Sequence, residues 1–101
     1  MQITSQISPT ARNSWAPELA AQYSLWYHEV AHECWEVTPD ILERHPQAFL
    51  YPHGNVVFPI LHGKAIVAAH VEYRLGRVFV RYVGLKKKWH NKWENTHVEA
   101  S

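Results

Sequence analysis

The chain has 101 residues, 47% of them hydrophobic, and a formal net charge of +1, enough for one domain with a real core but not for two. Cys34 is the single cysteine, which excludes an intramolecular disulfide and suits a reducing cytoplasm. No apolar run approaches the ~20 residues that span a bilayer, and the opening Met-Gln-Ile-Thr-Ser-Gln lacks the basic-then-apolar pattern of a signal peptide. A cytoplasmic protein without membrane contact is therefore expected.

In chain order, Met1–Thr4 reads as a short strand, and the rest of 1–13 as a polar loop holding Pro9. Pro17 suits the first turn of a helix, with Ser14 or Ala16 near its cap. Leu19, Tyr23, Trp26, Val30 and Cys34 then recur at helical spacing, predicting a helix over roughly 17–35 with Cys34 in the core. A second short helix is capped by Thr38, opened by Pro39 and closed near Arg44–His45, before Pro46.

Short β runs follow. Phe49–Tyr51 is a weak strand; Val56–Leu61 is better, with Pro59 marking an edge or a bulge. Ala65–Tyr73 and Arg77–Val83 are the strongest, joined by a hairpin turn at Arg74-Leu75-Gly76. A two-residue Leu75-Gly76 loop would set Val71 opposite Val80 and Ala69 opposite Tyr82, with both apolar sets facing the helices. It would also set His70 beside Arg81 on the open face. A slip by one residue would bury Arg81, which disfavours it. The expected fold is α+β: two N-terminal helices on one face of a small, mostly antiparallel twisted sheet, in one domain spanning 1–101, with 94–101 as a flexible tail.

Charge divides along the chain. Residues 1–61 carry two basic and six acidic side chains, net −4, while 62–101 carry eight basic and three acidic, net +5. Such a split points to an anionic partner for the second half. Lys86-Lys87-Lys88-Trp89-His90-Asn91-Lys92-Trp93 interleaves lysine with tryptophan, a pattern suited to phosphate neutralisation and base stacking. Arg74 and Arg77 extend the basic set. The bland alternative is a polar tail whose tryptophans fold back on the core.

One string, His28-Glu29-Val30-Ala31-His32, satisfies the zinc-protease pattern HExxH. It has no clear third ligand after it, its helix already uses Tyr23, Trp26 and Val30 as core, and eight histidines make a chance match easy. It reads as a solvated helix face, and no metal or cofactor is expected.

Leu25-Trp26-Tyr27-His28-Glu29-Val30-Ala31-His32-Glu33-Cys34-Trp35, followed by Thr38-Pro39-Asp40-Ile41, resembles the helical half of the HigB-type toxins of the RelE superfamily. Gln47-Ala48, Val57-Phe58 and Ile60 resemble their first core strands, and Arg77-Val78-Phe79-Val80-Arg81-Tyr82-Val83-Gly84 their last strand. The resemblance covers roughly 14–93, spread over many weak positions. It implies a RelE-like fold and a ribosome-dependent mRNA interferase neutralised by a cognate antitoxin, normally of helix-turn-helix type. Lys64, Tyr73, Arg81 and Gly84 match the family pattern. Ile66 stands where the family has arginine, Leu85-Lys86 where it has Thr-His, and Trp89 where it has tyrosine.

In such an enzyme the RNA 2′-hydroxyl attacks the adjacent phosphate, and the protein supplies a base, cations and a proton for the leaving oxygen. Lys64, Arg81, Lys86 and Lys87 are the candidates for charge stabilisation, and His70 or His90 for proton transfer. Arg74, Arg77, Lys87, Lys88, Trp89 and Lys92 are the candidates for RNA contact. The alternative is a catalytically impaired relative that binds RNA, ribosome or antitoxin without cutting. A third reading is a small metalloprotease built on His28, Glu29 and His32.

Overall fold

The computed structural model describes residues 1–89. His90, Lys92 and the expected tail at 94–101 lie outside them. The chain forms β1 (Gln2–Ser5), α1 (Pro9–Asn13), α2 (Pro17–Ala31) and α3 (Thr38–Arg44), then β2 (Phe49–Leu50), β3 (Asn55–Ile60), β4 (Ala65–Glu72) and β5 (Arg77–Leu85). The five strands make one sheet in the order β1-β5-β4-β3-β2. β1 runs parallel to β5, and the other pairings are antiparallel. The α+β architecture expected from the sequence is present, with one addition. Ser8 caps the short α1 by accepting from the Ala11 amide at 3.1 Å, where a loop was expected.

α2 begins at Pro17, whose missing N–H and fixed φ suit a first helical position. Leu19, Tyr23, Trp26 and Val30 form its buried stripe, as their spacing predicts. The helix stops at Ala31, four residues before the expected end. There the Met1 amino group, delivered by β1, lies against the carbonyl oxygens of Val30, Ala31 and Glu33. A positive group at the last carbonyls satisfies acceptors that have no partner within the helix. Cys34, past this end, is exposed, and Trp35 is buried in its place.

α3 is not capped by Thr38. Its cap position is Val37, and the Asp40 carboxylate reaches back to accept from the Glu36 and Val37 amides at 2.9 and 3.2 Å. Ile41 is the residue of α3 that enters the core.

That core lies between the helices and one face of the sheet, where Val67, Ala69, Val71, Val78 and Val80 meet Trp26, Val30 and Ile41. Phe58 joins the layers, stacked on Trp35 at 5.9 Å and edge-to-face with Trp26 at 5.3 Å. Pro59 sits in β3, which is flanked on both sides. Yet β2 pairs only with Val56 and Val57, so the outer edge of β3 at Pro59 has no β2 partner, and the missing amide proton costs no ladder bond there.

The β4–β5 hairpin differs from the expected one. A four-residue turn, Tyr73 to Gly76, replaces the two-residue loop, with Gly76 at φ +62. The register is therefore Val71 opposite Val78, Ala69 opposite Val80, His70 opposite Phe79 and Glu72 opposite Arg77. Further along, a β-bulge lies between the pairs Ala69–Val80 and Ala68–Tyr82, and Arg81 is the extra residue. One inserted residue reverses the alternation beyond it. Val83 consequently joins the helix-side core, and Tyr82, expected there, lies on the opposite face.

Candidate nucleic-acid interface

The face of the sheet away from the helices carries a second, smaller apolar cluster. Val57, Ile66 and Ala68 are buried beneath the partly buried rings of Tyr51, Tyr82 and Trp89. Tyr82 and Trp89 pack with ring centroids 4.8 Å apart and planes at 34°. The Tyr82 hydroxyl donates to the Leu85 carbonyl at 3.0 Å, and burial pushes its pKa above the ordinary value of 10.0. Trp89 thus folds back onto the sheet, as the bland reading of the Lys-Trp segment had it, and in doing so becomes one wall of a cleft.

That cleft has a volume of about 690 Å³. Val57, Pro59 and Ile66 form its floor, Ala48, Phe49 and Tyr51 one side, and Lys86 and Trp89 the other. It shares Gly63 and Lys86 with a second hollow of about 600 Å³, completed by Lys64, Leu85 and Lys87. The two make one surface, apolar and aromatic at one end and lysine-lined at the other.

The lysine end is fixed by the backbone. The Lys86 amide donates to the Lys64 carbonyl at 3.0 Å, one step beyond the Ala65–Leu85 pair. The Trp89 amide then donates to the Lys86 carbonyl at 3.1 Å, closing a turn over Lys86, Lys87 and Lys88. On the other strand Leu61, His62 and Gly63 have φ of +53, +54 and +83, three successive left-handed residues just before Lys64. Such a conformation costs a non-glycine residue about 1–3 kcal/mol and tends to gather at binding sites. Lys64, Lys86, Lys87 and Lys88 are all exposed. Among the described residues the only side-chain ion pairs are Glu33–His45 and His70–Glu72, so none of these lysines is paired with an acid among the described residues.

The other expected site residues stand elsewhere. His70 is six residues from Lys64 along one strand, roughly 20 Å at the rise of a β-strand. Its ring is held between the Asn55 side-chain oxygen, 3.1 Å from Nδ1, and the Glu72 carboxylate, 2.7 Å from Nε2. Arg77 pairs with Glu72 at that same far end, and Arg74 lies in the adjoining turn. Arg81 is exposed at the bulge between the two ends, not beside His70. The structure therefore joins Lys64, Lys86, Lys87, Lys88 and Trp89, and separates them from His70, Arg74 and Arg77.

His28, Glu29 and His32 are exposed. α2 ends before His32, whose Nδ1 lies 2.8 Å from the His28 carbonyl, and among the described residues neither His28 nor His32 belongs to a cluster of three metal-capable side chains.

The cleft residues Phe49, Tyr51 and Val57, and Tyr82 behind Trp89, were not among the candidates. One signal for them is present in the sequence. Ala65-Ile66-Val67-Ala68-Ala69 is a continuous apolar run, which marks a strand covered on both faces and not on one.

No protein-family model matches this chain, and no curated protein matches it in sequence.

Proposed function

We propose that this chain acts on messenger RNA at the ribosome, as the toxin of a toxin–antitoxin pair, and inhibits translation. The observation that carries the reading is the junction of Lys64 and Lys86 at the mouth of an aromatic-lined cleft. Single-stranded RNA offers a flexible chain of phosphates with unstacked bases. Proteins take it up by neutralising the former and stacking on the latter, each stacked base contributing about 1–3 kcal/mol. Phe49, Tyr51 and Trp89 line the same cleft as Lys86, and no acid among the described residues pairs with Lys64, Lys86 or Lys87. The resemblance to HigB-type toxins gives the RNA its context, a message held in the ribosome, and a helix-turn-helix antitoxin as the neutralising partner in the cytoplasm.

In the cleaving form of this function, the 2′-hydroxyl attacks its own 3′-phosphate. A 2′-O–P bond forms, the P–O5′ bond breaks, one proton leaves the 2′-oxygen and one reaches O5′. In this reading Lys64 and Lys86 hold the crowded phosphate and Lys87 assists. No cofactor is required by this chemistry.

A second form, binding without cleavage, is favoured by two observations. Ile66, where the resemblance implies an arginine, is 2% exposed on the cleft floor. His70, the described histidine proposed for proton transfer, is engaged by Asn55 and Glu72 far from the lysines. Inducing the chain in growing bacteria and mapping mRNA 5′ ends, with and without ribosomes in a purified system, separates the two. New ribosome-dependent ends with growth arrest identify an mRNA interferase. Arrest with ribosome binding and no new ends identifies the non-cleaving form, and absence of both arrest and RNA binding overturns the reading.

A further inference from the structure

On the side of the molecule served by the helices, Glu29, Glu33 and His45 bring one ligand atom each to within 4.8 Å of one another. They come from three places: Glu29 from the last turn of α2, Glu33 from the segment after it, and His45 from the residue that ends α3. We propose that these three residues form a binding site for a divalent transition-metal ion of the zinc type.

The two inner ligands are held from behind. His45 and Glu33 side chains are each 12% exposed, and His45 Nε2 lies 3.0 and 3.1 Å from the two Glu33 oxygens. The imidazole is fixed by edge-to-face contacts with Phe58 at 5.2 Å and Trp35 at 5.9 Å. The Trp35 indole N–H donates to Glu33 Oε1 at 3.0 Å. A ligand whose orientation is set by packing and by an outer hydrogen bond is the usual condition for metal affinity. The third ligand, Glu29, is exposed and carries no ion pair among the described residues, although its carboxylate approaches that of Glu33. Two carboxylates this close repel, and a cation between them removes that repulsion. The Met1 amino group nearby is engaged by main-chain carbonyls.

The donor set is one nitrogen and two oxygens. It fits zinc and the neighbouring divalent ions and leaves a coordination position toward solvent. On binding, the ion takes the place of the hydrogen bond between His45 Nε2 and the Glu33 carboxylate, and no redox change occurs. This site differs from the HExxH string, from which it takes only Glu29. It also lies on the helix side of the sheet, independent of the RNA reading.

The test uses the full chain, stripped with chelator and titrated with zinc chloride by calorimetry and by thermal unfolding. The expected result is one ion per chain, with Tm rising as zinc is added. E29Q relieves the repulsion from Glu33, so the metal-free Tm is expected to hold or rise slightly, while zinc binding weakens at least about tenfold, a loss typical of disturbed metal sites. H28Q/H32Q is expected to bind zinc as the parent does. The proposal is overturned if zinc fails to bind at micromolar concentration, if E29Q binds with undiminished affinity, or if H28Q/H32Q abolishes binding.

Discussion

The amide of Lys86 donates to the carbonyl of Lys64 at 3.0 Å, so the β4–β5 ladder continues one step past its last apolar pair and sets two lysines side by side. Like charges opposed across strands oppose folding, by up to about 1 kcal/mol. The arrangement makes sense where an anion visits. The double variant K64A/K86A is therefore expected to be at least as stable as the parent in urea, and to bind single-stranded RNA more weakly. The slope of log affinity against log salt is expected to become shallower by about 1.4, the share of two lost contacts on a single strand. Fluorescence titrations at several salt concentrations measure it; an unchanged slope removes these lysines from the interface.

Gly54 is the second point where one atom decides. Its φ is +78, and a Cβ there would meet the Val71 carbonyl oxygen at 2.5 Å, with the His70 ring at 3.5 Å. The obstacle is backbone of a central strand, which cannot swing aside. Gly54→Ala is expected to destabilise the fold by roughly 1–3 kcal/mol from the left-handed conformation alone, with the displacement of β4 added. Urea denaturation gives the number, and a change below about 0.5 kcal/mol, the usual range of a surface substitution, contradicts it.

The sequence revealed what depends on periodicity and concealed what depends on counting residues. The α2 stripe of Leu19, Tyr23, Trp26 and Val30 was legible because each residue reports its own face. Extending it to Cys34 failed because the helix is ended by Met1, a contact from the start of the chain that no local pattern encodes. In the hairpin, a four-residue turn and a two-residue turn shift register by an even number, and both leave Val71 and Val80 facing the helices. Facing was therefore recoverable near the turn and pairing was not. The bulge at Arg81 was hidden as well, since Val80-Arg81-Tyr82-Val83 fits an apolar alternation with or without an insertion. That one residue moves Tyr82 to the opposite face beside Trp89, while the four-residue turn, which sets His70 opposite Phe79, removes the expected His70–Arg81 pair. The lysine cluster was legible as composition, and its junction with Lys64 became visible only in the fold.

Tyr23 and Tyr82 make stability depend on alkaline pH. Burial raises the pKa of both above 10.0; for Tyr23 the Ser5 side chain and the Arg12 charge offset part of the rise. Between the unfolded and the folded pKa, the unfolded chain has lost a proton that the folded chain keeps, so unfolding becomes easier as pH rises. Stability is expected to be level below about pH 9 and to fall through pH 10 and above, where unfolded tyrosine titrates. Tyr23→Phe removes one of the two groups and is expected to make the alkaline decline shallower. Thermal unfolding from pH 8 to 11 on both proteins checks the sign; a Tm that rises with pH refutes it.

Gly84 tests whether Tyr82 and Trp89 hold the cleft together. A Cβ at Gly84 would lie 2.6 Å from the Tyr82 hydroxyl and 2.9 Å from its ring carbon. The obstacle is the end of a side chain, so Tyr82 moves and the strand need not. Moving it breaks the hydroxyl bond to the Leu85 carbonyl and disturbs the 4.8 Å packing on Trp89. A lost hydrogen bond and a weakened aromatic pair each amount to about 0.5–1.5 kcal/mol, so Gly84→Ala is expected to destabilise by about 1–3 kcal/mol. The signature that separates this from general loosening is local. Trp89 becomes wetter, so emission shifts to the red and near-ultraviolet dichroism weakens, while the far-ultraviolet signal of the helices and sheet is unchanged. RNA affinity is expected to fall with the Trp89 signal, because the wall of the cleft has moved. Unchanged Trp emission in a folded Gly84→Ala protein would show that Tyr82 does not position Trp89.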